Sequence, residues 1–95
     1  MSAEEAVAIA REFARRRFPT DFSAMDLSSP RIHRSMLYER DTWSVQFDYL
    51  PEASVDVYPA WVTILVDCET MQPWMTDKQR EWRTWLKKYL RRKTG

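Results

Sequence analysis

The chain holds one glycine, Gly95, at its last position. Every turn before it must therefore be built from residues that carry a Cβ. A phosphate-cradling loop needs Gly, so that the backbone can take positive φ and approach the phosphate closely. Neither a GxGxxG nor a GxxxxGK[ST] run occurs, which excludes Rossmann and P-loop nucleotide sites. The Gly-x-Ser-x-Gly nucleophile elbow is excluded in the same way. Two-residue hairpin turns favour Gly, and none is expected here.

With 95 residues the length suits one domain, 1–95. Hydrophobic residues make up 44% and include five Trp, enough to build a core. No apolar run reaches the roughly 20 residues of a membrane span. Residues 1–17 hold Glu4 and Glu5 and lack the apolar stretch of a signal peptide, so a cytoplasmic location is expected. A single Cys and a single His cannot supply a disulfide or the usual ligands of a structural zinc site. No metal and no cofactor is expected.

Ser2 and Glu5 have the spacing of a capping box. Ala6, Ile9, Ala10 and Phe13 follow at helical spacing, with Val7 and Ala14 beside them, which predicts a helix over 3–17. Pro19 ends it. Residues 20–30 read as a loop with Phe22, Met25 and Leu27 tucked beneath. Strands are expected at about 31–38, 42–49 and 61–67, with a polar turn at 39–41. In the second strand, Trp43, Val45, Phe47 and Tyr49 alternate with Thr42, Ser44, Gln46 and Asp48. Residues 51–59 are a connection with room for a short edge strand at 55–57. Residues 68–73 form a turn. A second capping box at Thr76 and Gln79 precedes an amphipathic helix over 77–92, with Trp82, Trp85, Leu86, Tyr89 and Leu90 on one face. The architecture is α+β: an N-terminal helix on a three- to four-stranded antiparallel sheet, with a basic C-terminal helix.

Charge is unevenly spread. Residues 19–75 carry three Arg and nine acids, net −6, and residues 76–95 carry eight Lys or Arg and two acids, net +6. The acidic sheet portion displays aromatic residues, and Tyr49, Glu52, Asp56, Tyr58 and Trp61 are the expected contacts for a protein partner. The alternative is a nucleic-acid-binding module using Lys78, Arg80, Arg83, Lys87, Lys88, Arg91 and Arg92, whose phosphate contacts would give steep salt dependence. A homodimer is a further option, because Trp82 and Trp85 need cover.

Catalysis is not expected. His33 shares a strand face with Ser35 and Leu37, and no spacing sets a carboxylate on it. Cys68 lies between Asp67 and Glu69, which raise a thiol pKa and disfavour the thiolate. Asp67 and Glu69 alone are a weak metal site.

The runs Trp43-Ser44-Val45-Gln46-Phe47 and Trp61-Val62-Thr63-Ile64-Leu65-Val66-Asp67-Cys68-Glu69-Thr70 carry a resemblance. The segment from Ile64 to Thr70 looks like the last strand and turn of PepSY-like domains, and is similar to cystatin-like and nuclear-transport-factor-like modules. The resemblance covers about residues 3–72. Met71 departs from it, because those families usually place Gly after the Thr. The resemblance implies one helix on a curved antiparallel sheet and a non-catalytic binding role, such as an inhibitor or a bacterial toxin-immunity protein.

Overall fold

A computed structural model describes residues 1–54 and 61–76. The expected edge strand at 55–57 and the helix over 77–92 lie outside the described residues. Helix α1 spans Ala3–Arg17. The Ser2 Oγ accepts a hydrogen bond from the Glu5 N–H at 3.1 Å, so the Ser2 half of the box forms. Glu4 and Glu5 in the first turn and Arg15, Arg16 and Arg17 in the last suit the helix dipole. The Phe18 N–H reaches the Ala14 carbonyl at 2.8 Å before Pro19 ends the helix.

Among the described residues four strands follow in one antiparallel sheet, in the order β1-β2-β3-β4. They are β1 (Arg31–Leu37), β2 (Arg40–Asp48), β3 (Trp61–Asp67) and the short β4 (Pro73–Trp74). A one-turn helix, α2 (Pro51–Ser54), leaves the end of β2. Cross-strand pairing sets Val45 between Ile32 and Ile64, and Trp43 between Arg34 and Val66. One sheet face therefore carries Trp43, Val45, Phe47, Val62, Ile64 and Val66. Helix α1 lies over that face, above β2, β3 and β4.

The helix meets the sheet through Ala6, Ala10 and Ala14, all fully buried, which form a core cluster with Val45, Phe47, Val62, Ile64 and Val66. Residues with no side chain beyond Cβ let the helix axis approach the sheet closely, and Ile9, Phe13 and Val7 fill the flanks. The loop after α1 closes one end. Met25 is buried there and bridges to Tyr49, while the Asp26 N–H bonds the Asp48 carbonyl at 2.7 Å. Phe22 and Leu27 pack against the same cluster, as the sequence indicates.

The turns correct the glycine argument. Leu37 pairs with Arg40, so the first hairpin closes through only two residues, Tyr38 and Glu39, at φ 53° and 65°. Positive φ at both central positions is the type I′ pattern, which favours Asn-Gly. The expected three-residue turn at 39–41 is thus replaced by a tighter one, with Arg40 and Asp41 inside β2. Register is the reason. Continuous pairing from Arg31 with Gln46 down to Leu37 with Arg40 leaves just two residues to reverse the chain. A side chain in left-handed backbone costs about 1–2 kcal/mol per residue. The Y38N/E39G variant is therefore expected to raise the melting temperature by several degrees in thermal circular dichroism. The tilted ring contact of Tyr38 with Trp74, at 5.9 Å, offsets part of the gain.

The second glycine-free turn joins β3 to β4. Met71 takes φ 62° there, the left-handed region that favours Gly. Its N–H donates to the Asp67 carbonyl at 2.8 Å.

Candidate functional site

The expected partner contacts are separated by the pleat. Tyr49 continues the core face of β2 and is 5% exposed; its hydroxyl bonds the Asp21 carboxylate at 3.2 Å. It is a core residue, where the sequence reading had it displayed. Trp61 opens β3 opposite Asp48, on the other sheet face, and is 41% exposed. Glu52 is exposed on α2, and Leu50, just before α2, is partly exposed. Trp61, Asp48, Leu50 and Glu52 thus belong to one end of the sheet, where β2 finishes and β3 starts. Asp56 and Tyr58 lie outside the described residues. So do Lys78, Arg80, Arg83, Lys87, Lys88, Arg91 and Arg92.

The opposite end gathers the polar groups that could do chemistry. The Arg34 guanidinium forks onto Asp41, with Nε to Oδ1 at 3.0 Å, and its carbon sits 5.6 Å from the Trp43 ring centre. The fork raises the Arg34 pKa and lowers that of the Asp41 carboxyl, so both stay charged. Cys68 stands beside them. Burial, and then the Asp41 carboxylate, push its thiol upward. The direction agrees with the sequence expectation, but the responsible acid is Asp41 on the neighbouring strand rather than Asp67 or Glu69. A thiol held protonated is a poor nucleophile.

Asp67 is buried on the other face. Its Oδ1 accepts from the Glu69 N–H at 2.8 Å and the Thr70 N–H at 3.0 Å, and Oδ2 meets Arg40 at 3.1 Å. The two turn amides, and then Arg40, lower its pKa. Its oxygens serve the β3–β4 turn. No group of three or more His, Cys, Asp or Glu suited to a metal ion occurs among the described residues. His33 is exposed in the middle of β1, opposite Ser44.

Three exposed residues on β1 escaped the sequence reading: Ile32, Arg34 and Met36. Their signal was available. They share parity along 31–37, and one shared parity in a hairpin means one shared sheet face.

Among the described residues no helix is long and apolar enough to cross a membrane. No family model, curated protein or solved structure matches this chain.

Proposed function

We propose that this chain is a small, non-catalytic, cytoplasmic module that binds another protein, in the manner of an inhibitor or a toxin-immunity protein. The reading takes with it the resemblance to PepSY-like and cystatin-like domains and a basic amphipathic helix over 77–92. One observation supports it most. Trp61 is held partly exposed on a rigid strand, away from the α1-covered core, with Leu50 and Glu52 at the same end of the sheet. Trp is enriched among residues that dominate binding energy, and a strand presents it with little conformational freedom left to lose. Glu52, Asp56, Tyr58 and Trp61 are the proposed contacts.

The test is an alanine scan of these four positions against the partner captured from the source lysate and then purified. Trp61→Ala should weaken binding about tenfold or more without changing the circular dichroism spectrum. Unchanged affinity for all four variants removes the site. The nucleic-acid alternative rests on the net +6 of residues 76–95. Binding that vanishes with moderate salt and ignores Trp61→Ala would favour it.

A further inference from the structure

Among the described residues the sheet has two edges of unequal character. One is β4, two residues long and opening on Pro73, and both features discourage further pairing. The other is β1, seven residues without Pro and paired to β2 with no break in register. Its backbone groups divide by parity. Leu37 and Arg40 flank a two-residue turn, so they exchange hydrogen bonds with each other, and Ser35, His33 and Arg31 follow in alternation. The N–H and C=O groups of Ile32, Arg34 and Met36 consequently point away from the sheet. Helix α1 lies over β2, β3 and β4, so the Ile32 and Met36 side chains on its side of the sheet stand 40% and 67% exposed.

We propose that two copies of this chain pair through β1, antiparallel about a two-fold axis at Arg34, into one continuous sheet. In that register Ile32 faces the partner's Met36, Met36 faces the partner's Ile32, and Arg34 faces the partner's Arg34. Every outward backbone group of the three residues then meets a complement. Both exposed apolar side chains are covered by each other across the axis, in the strip α1 leaves open. A shift by two residues in either direction sets Arg34 against an apolar residue and leaves one of the three unmatched within β1. The facing arginines are tolerable because each guanidinium is already forked onto the Asp41 of its own copy and lies over its own Trp43. The strand itself carries no acid, so the ion pair that balances its central charge comes from β2.

Sedimentation velocity of the full chain tests this, with concentration raised into the high-micromolar range. A concentration-dependent monomer–dimer equilibrium is expected. I32E and M36K should each weaken dimerisation about tenfold or more, since each alters two cross-strand pairs per dimer. The I32E/M36K double variant should recover most of the loss, because the register then sets opposite charges across the axis at both ends. Both positions are exposed, and melting temperatures within a few degrees of the parent confirm that the variants fold. A chain that stays monomeric throughout overturns the proposal and leaves β1 to a strand of a different protein. A dimer indifferent to both single substitutions, or a double variant no better than the weaker single one, overturns it equally.

Discussion

Phe47→Ala is expected to remove about 3–5 kcal/mol of folding stability. Phe47 is fully buried and heads the large side chains of the core with Ile64, Val45, Val62 and Val66. It pairs across to Val62, on the face that α1 covers. Truncation loses the transfer energy of the ring and leaves a void, and the stripe of Ala6, Ala10 and Ala14 has no longer side chain with which to fill it. A domain of this size has on the order of 5–15 kcal/mol in total. The variant should therefore melt at least about 12 °C lower and shift its denaturant midpoint accordingly. Ile32→Ala is the control. Ile32 shares the face but lies beyond the helix, and its truncation should cost no more than about 0.5 kcal/mol in the monomer. Equal losses for the two would mean that the α1-covered face is not the core.

Asp67→Ala is expected to lower the melting temperature by roughly 5–10 °C. The loss exceeds that of an ordinary surface acid because one carboxylate serves three donors: two turn amides and Arg40. Without it the β3–β4 turn loses the contacts that offset the left-handed backbone of Met71. The effect should depend on pH with a definite sign. The folded carboxyl titrates below its ordinary 3.8, held down by the Thr70 and Glu69 amides and by Arg40. The ionised form's stabilisation is thus complete above that ordinary value and disappears as pH falls through the depressed folded value. Melting curves of the parent and Asp67→Ala should stay a constant distance apart down to about pH 4 and converge below it. A gap that persists undiminished at lower pH would assign Asp67 a role independent of its charge.

Much of the fold was legible because its signals are local. The Ser2 cap and the spacing of Ala6, Ala10 and Ala14 place α1. The alternation from Thr42 to Tyr49 places most of β2, and the β-branched run after Trp61 places β3. The first turn was misread because its length is set by pairing across the hairpin, a non-local quantity. A propensity rule against glycine-free tight turns loses to seven consecutive cross-strand pairs. Tyr49 was misplaced for another reason. Its parity with Phe47 already put it on the buried face, and the structure supplies Asp21 as the hydrogen-bond partner for its hydroxyl. Of the candidate site, the display of Trp61 was readable. The division of Trp61 and Tyr49 between opposite faces follows from the pleat. The open edge at β1 depends on strand order, which no local pattern encodes.

That strand order also bears on how the chain reaches its native state. In a β1-β2-β3-β4 meander each strand pairs with its neighbour in sequence, so no pairing waits for a distant segment to arrive. Loop-closure entropy is met in small instalments, first across two residues and then across the segment between β2 and β3. Among the described residues, the longest-range event is the return of α1 onto β3 and β4. Topologies dominated by such sequence-adjacent contacts fold fast. The sheet can therefore form as a series of hairpins, with the alanine face of the helix docking last to exclude water from it.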